Sequence, residues 1–422
     1  MSTIALDRSK APETKEFRGF FTINHQKETT KGHSIYYINN SNSPNAVKIE
    51  LLIPYHNTPV NKALLHIYSS LLFEGTSEAS ASDIANFYAT YGAFIDCAAG
   101  GDYININIYC LHKYAEKVVK YTLDIFYQAT FPLPELERTQ NRLIQQLSVN
   151  AGKTSYIASK SFINQLVGNH QSHYYNSLDE ATVLQVSQEE LRSYHEKMIY
   201  QPFVAFIAGH FNEKELLDCF KDKALQAKAV DSLSHNVATY TAFEQLDNWE
   251  EANQTSTRFG FHSISQHDPL YHDISICNTI LGGYFGSRLM QNIREEKGWT
   301  YGISSTILHK KNFSYFQIGA DITKGKISEL RAEISHEIQQ LKEHLVPTQE
   351  LEKVKQYCVG SLSGAFNTVF DNSDRLKNVI IHNLPIEFYE DYVKRVINIT
   401  PEEIKLAANT LFNKEISVVA IG

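Results

Sequence analysis

The sequence predicts an α+β fold of two homologous halves, each a mostly antiparallel sheet packed against helices. Three observations carry this. Ser187-Gln-Glu-Glu-Leu191 leads through a helical stretch into the apolar strand Phe203 to Gly209, and Thr400-Pro-Glu-Glu-Ile404 leads in the same way into Ser417 to Gly422. Both pairs of landmarks stand 213 residues apart, as do Pro134 and Pro347, each at the start of a long helical segment. Recurrence at one spacing is the mark of internal duplication. The second observation is strict alternation in Tyr103-Ile-Asn-Ile-Asn-Ile-Tyr-Cys110, which predicts a strand with one buried face. The third is Leu64, Leu65, Tyr68, Leu71 and Leu72 at helical spacing within 61–73.

Taken in order, Ala46 to Ile53 reads as a strand that stops at Pro54, followed by the helix at 61–73. The strand at 103–110 precedes helices at 113–129 and 134–149. In the second half, 255–261, 301–307 and 315–322 read as strands; 271–281, 287–297, 326–345 and 348–362 read as helices. Residues 222–254 are polar and lack a sustained period, so they are expected to link an N-terminal domain (1–221) to a C-terminal one (255–422).

Composition narrows the function classes. Apolar residues make up 43% of 422 and charged residues 20%, which is ordinary globular usage. A formal charge of −8 with no basic block argues against nucleic acid as a partner. No apolar run reaches the roughly 18 residues of a spanning helix, so no membrane partner is expected. Residues 1–15 mix charges without an apolar core, so no secretory signal is expected. Five scattered cysteines without a C-x-x-C pair fit a reducing compartment, and the expected location is cytoplasmic.

Two segments carry the chemistry. Leu71-Leu-Phe-Glu-Gly-Thr76 resembles the end of the H-x-x-E-H helix of the insulinase-like (pitrilysin) zinc peptidases. Asn278-Thr-Ile-Leu-Gly-Gly-Tyr-Phe-Gly-Ser-Arg-Leu-Met-Gln-Asn-Ile-Arg-Glu-Glu-Lys-Gly-Trp-Thr-Tyr301 is similar, nearly residue by residue, to the glycine-bearing segment of that family's C-terminal half. The twofold repeat matches as well. The resemblance implies a zinc site in which two histidines share a helix face and the glutamate between them activates water.

Counted onto this chain, the motif falls on His66-Ile-Tyr-Ser-Ser70. Only His66 matches; Ser69 stands at the base and Ser70 at the second ligand. The downstream carboxylate ligand falls at Gln146. Serine cannot take a proton from water as a carboxylate does, and a hydroxyl and an amide are poor zinc ligands. No zinc or other cofactor is therefore expected in this chain. His170 with His173 has no carboxylate base beside it, and His267 with His272, five apart, has the wrong step for one helix face, so neither pair is expected to rebuild a site.

What the resemblance retains is an arginine and a tyrosine seven residues apart, Arg294 and Tyr301. In active relatives such a pair binds substrate and stabilises the tetrahedral intermediate, which a guanidinium and a phenol can do by donating hydrogen bonds to developing negative charge. Gly282, Gly283 and Gly286 match neither a P-loop nor a dinucleotide fingerprint; close packing at a helix end explains them. The expected function is a non-catalytic subunit that lends Arg294 and Tyr301 to a zinc-bearing partner of the same family acting on peptides. The rival expectations are a structural or peptide-holding homologue and, against the lost base, an autonomous peptidase.

Overall fold

A computed structural model describes residues 22–43, 45–55, 62–100, 102–168, 178–228, 239–310 and 313–422. His170 and His173 lie outside the described residues.

The first half runs β1 (Gln26–Thr30), β2 (His33–Asn39), β3 (Ala46–Pro54), α1 (Lys62–Leu71), α2 (Ala81–Thr90), β4 (Phe94–Gly100) and β5 (Tyr103–Leu111). It continues through α3 (Ala115–Gln128), α4 (Leu133–Ala151), α5 (Thr154–Val167), α6 (Glu180–Gln185), α7 (Gln188–Met198), β6 (Val204–Gly209) and α8 (Glu213–Lys223). The second half has β7 (Glu244–Asp247), β8 (Gln254–Ser263) and α9 (Tyr271–Asn278), which widens into a π-helical turn at Thr279–Gly283. Then follow α10 (Met290–Glu296, also π-wound), β9 (Thr300–His309), β10 (Ser314–Thr323), α11 (Ile327–Glu343) and α12 (Thr348–Gly364). The chain closes with α13 (Val369–Ile381), α14 (Phe388–Asn398), α15 (Pro401–Leu411) and β11 (Ser417–Ile421).

The duplication is plain in the strand order. The first sheet is β1-β2-β6-β3-β5-β4 and the second is β7-β11-β8-β10-β9, so the two agree strand for strand apart from the added β1. Each sheet is antiparallel except at one pair, β2 with β6 and β7 with β11. The alternation read in β5 is what buries Ile104, Ile106, Ile108 and Cys110 on one face. Local signals set the helix starts: Ser80 and Asp83 close a capping box on α2, Thr400 and Glu403 one on α15, and Pro134 opens α4.

Helices cover both faces of each sheet, not one. Each half packs its own helices on one face. The other face takes a helix from the opposite half. Ala158, Phe162 and Leu166 of α5 pack on Tyr315, Val419 and Ile421 of the second sheet. Leu376 and Val379 of α13 pack on Tyr36, Leu52 and Phe206 of the first. These two helices occupy corresponding places in the repeat, so the exchange is reciprocal. Gly260 on β8 permits it, because a Cβ there would come within 2.9 Å of the Phe162 ring.

Charge joins the halves as well. Lys48 and Glu50 point from β3 toward α13 and are almost fully buried. Lys48 bonds Asp374 at 2.6 Å, Lys377 bonds Glu50 at 2.6 Å, and Asn105 also donates to Glu50. Burial alone would lower the Lys48 pKa; the hydrogen bond and charge of Asp374, with Glu50, outweigh it and raise the value. Removing one member would strand a buried charge.

The expected linker does more than connect. Glu244–Asp247 within it is β7, an edge strand paired in parallel with β11. Residues 229–238 of that segment lie outside the described residues.

Candidate functional site

Helix α1 carries the degraded motif. His66 and Ser70 are half-buried and Ser69 is buried. The Ser69 hydroxyl donates to the His66 carbonyl at 3.1 Å, so it is spent within its own helix. Ser69 and Ser70 border a cavity of about 350 Å³ with Glu74, Asp96, Cys97 and Arg142. Gln146 is exposed on α4, one turn beyond Arg142, and does not line that cavity. Burial, then Glu135, raises the Glu74 carboxyl against the pull of Arg142 and Arg138.

His66 sits one helical turn after Lys62. Burial and that ammonium hold the imidazole below its usual range. Lys62 is itself lowered by burial and by the charges of Lys160 and Lys310. One imidazole, two hydroxyls and a remote amide beside an ammonium do not fit a Zn²⁺ ion, which needs anionic or imidazole donors converging on it. Among the described residues no three His, Cys, Asp or Glu side chains converge. His267 turns away to the His382 carbonyl at 2.8 Å, and His272 packs against Phe388 and Tyr392.

Arg294 and Tyr301 are built differently. Arg294 lies on α10 and Tyr301 is the second residue of β9, the edge strand of its sheet. The turn between them is fixed by backbone bonds, Gly298 N to Arg294 O at 3.2 Å and Trp299 N to Ile293 O at 3.1 Å. Gly298 has φ +66°, a conformation that glycine adopts without strain. The Thr300 hydroxyl pins the start of β9 by donating to Asp321 O at 2.6 Å. On the other side, Gly282 lets the π-helical turn press against β9; a Cβ there would stand 2.6 Å from Ser305 Oγ. The tight packing expected of that glycine is present.

Of the pair, Tyr301 is open and Arg294 is half-buried. Tyr301 is 90% exposed. Arg294 pairs with Glu295 at 2.9 Å and lies over the Phe285 ring, 4.6 Å from its centroid. Phe285 is 66% exposed, and sequence reasoning passed over it; an aromatic between glycines in Gly282 to Gly286 is the signal that could have found it. The cavity beside Ser69 and Ser70 contains no residue of the second half. Lys310, in electrostatic reach of Lys62, stands past the far end of β9 from Tyr301. Nine residues of strand separate the two lysine-side and tyrosine-side ends by about 30 Å. The donors and the degraded motif thus do not meet in one cavity of this chain.

The duplicated fold, with a degraded zinc motif on α1, is that of a zinc-peptidase-like protein. Two consecutive family patterns match the chain, "Insulinase (Peptidase family M16)" over residues 40–172 and "Peptidase M16 inactive domain" over residues 185–358. The chain belongs to the insulinase-like M16 family. It is similar to the uncharacterized zinc protease YmxG of Bacillus subtilis (strain 168), 24% identical over 73% of this chain and 75% of that protein. It is also similar to the non-peptidase homolog YmxG of Helicobacter pylori, 20% identical over 83% of this chain and 82% of the other. In fold it matches the crystal structure of a peptidase M16 inactive domain from Pseudomonas fluorescens, with a TM-score of 0.84 at 20% identity, over 94% of this chain and 98% of that one. No helix among the described residues is long and apolar enough to cross a membrane.

Proposed function

We propose that this chain is the non-catalytic subunit of a heterodimeric M16 peptidase, supplying Arg294 and Tyr301 to a partner that carries the zinc. The observation that supports this best is an exposed phenol, Tyr301, and a half-buried guanidinium, Arg294, held on one helix–turn–strand unit and absent from the cavity beside the chain's own α1. A phenol 90% exposed contributes nothing to packing, so its use lies in contact with something else. The partner provides the metal and the base; the Arg294 guanidinium and Tyr301 hydroxyl donate hydrogen bonds to the oxygen of the scissile amide as it gains charge. The stack of Arg294 on Phe285, which restrains the guanidinium, supports this reading. Peptides in extended form are the substrate class, in a chamber closed by the two subunits.

The test is co-purification with an M16 chain bearing an intact H-x-x-E-H motif, then a fluorogenic-peptide assay of each chain alone and mixed. Activity only in the mixture supports the reading. A stable complex whose activity equals that of the partner alone would leave a scaffolding role as the better one.

A further inference from the structure

The first residues of β9 depart from strand alternation. Thr300 and Ile303 are both buried, three positions apart, while Tyr301 and Gly302 between them are both exposed. In a regular strand, side chains on one face recur at every second residue. The pairing with β10 gives the cause. Thr300 stands opposite Ile322 and Ile303 opposite Ala320, so two residues, Tyr301 and Gly302, face the single Asp321. That is a β-bulge, which bends the strand and re-aims a side chain.

Thr300 closes the bulge. It is nearly buried, and its hydroxyl accepts from the Gly302 amide at 3.1 Å while donating to Asp321 O at 2.6 Å across the ladder. Gly302 itself is not what the bulge depends on, since a Cβ there would meet nothing within 4 Å. Just past the bulge the Ile303 amide donates to Met290 Sδ at 3.4 Å, and Met290 lies one helical turn before Arg294 on α10. The strand beyond the bulge is thus tied to the helix that carries the arginine.

Without the bulge the ladder would run on in register from Ile303 and Ala320. Gly302 would then stand opposite Asp321, and Tyr301 opposite Ile322. Ile322 is fully buried, and directly opposed residues share a face, so the phenol would turn toward the core. We propose that Thr300 is a positioning residue for Tyr301: its hydroxyl holds the bulge, and the bulge points the phenol outward, where it can meet a substrate. The use of the phenol rests on the donor role proposed above; its direction rests on the bulge alone.

The first arm of the test uses this chain by itself. Tetranitromethane nitrates exposed tyrosines, and peptide mapping reads the extent at each. In the parent, Tyr301 should react faster than Tyr357, which is 42% exposed. Thr300→Val keeps the shape and removes the hydroxyl; it should lower the nitration of Tyr301 several-fold relative to Tyr357, and Thr300→Ser should restore it. Tyr301 reacting no faster than Tyr357 in the parent, or an unchanged ratio in folded Thr300→Val, overturns the proposal. In the mixed peptidase, Thr300→Val should lower kcat by about tenfold or more at steady KM, with Thr300→Ser close to the parent. In a Tyr301→Phe background the same change should add little, because no hydroxyl is left to position. An equal loss in both backgrounds overturns the proposal, since Thr300 would then act through something else. Tyr301→Phe alone tests the donor role and the nitration ratio tests the bulge, so either can fail without the other.

Discussion

Replacing Tyr301 by phenylalanine removes one hydroxyl and nothing that the fold uses. The side chain is 90% exposed, and its ring stays in place in the variant. Arg294→Ala removes an exposed pair with Glu295 and the stack on Phe285, together worth about 1 kcal/mol at a surface. Neither change should prevent folding or pairing, so an effect on turnover can be read as chemistry. Loss of one donor to a developing oxyanion costs about a hundredfold to a thousandfold, or about 3 to 4 kcal/mol. If the contact strengthens in the transition state, kcat falls by that factor at steady KM; if it only holds substrate, KM rises instead. The assay is steady-state hydrolysis of a fluorogenic peptide by the reconstituted pair, with sizing chromatography to verify assembly. Unchanged kinetics in both variants, with the complex intact, would refute the role given to this pair.

Elemental analysis of the purified, untagged chain should find no stoichiometric zinc, and Ser69→Glu with Ser70→His should not confer activity while Gln146 leaves the site a ligand short. Phe162→Ala should destabilise by about 3 to 5 kcal/mol in denaturant melts, because the ring is fully buried between α5 and the second sheet. Stability should fall on acidification from about pH 6.5 toward 4. Burial holds His195, and burial with His382 holds His309, at a pKa of about 4, so the unfolded chain binds protons that the folded one refuses. Each contributes at most about 3 kcal/mol, present above that window and lost below it. Thermal melts across this range check the slope, and His309→Gln should flatten it.

The fold was legible where sequence pattern and burial coincide. β5 and β10 alternate because one face meets the core, and the repeated cap-helix-strand unit shows α7–β6 and α15–β11 to be copies. β7 was not legible: four mostly exposed residues at a sheet edge are held by pairing with β11, which leaves no pattern in their own sequence. The coverage of both sheet faces was also hidden. β3 hints at it, with an apolar run broken only by Lys48 and Glu50, but their partners on α13 lie more than 300 residues away. At the site, Arg294 and Tyr301 could be named from the motif, while the support from Phe285 depends on how the π-helical turn folds back.

The exchange of α5 and α13 makes the two halves mutually dependent. Cut at the connecting segment, residues 1–221 would keep α5 with nothing to sit on, and would bare Tyr36, Leu52 and Phe206 on the vacated face of their sheet. The complementary fragment would lose Phe162 from above Val419 and expose its own sheet in the same way. Despite its internal duplication, the chain should therefore unfold as one cooperative unit, its halves melting together. The clasp also sets the angle at which the edge bearing Tyr301 is presented, so the partner proposed above would meet a preformed surface, with little ordering entropy to oppose the union.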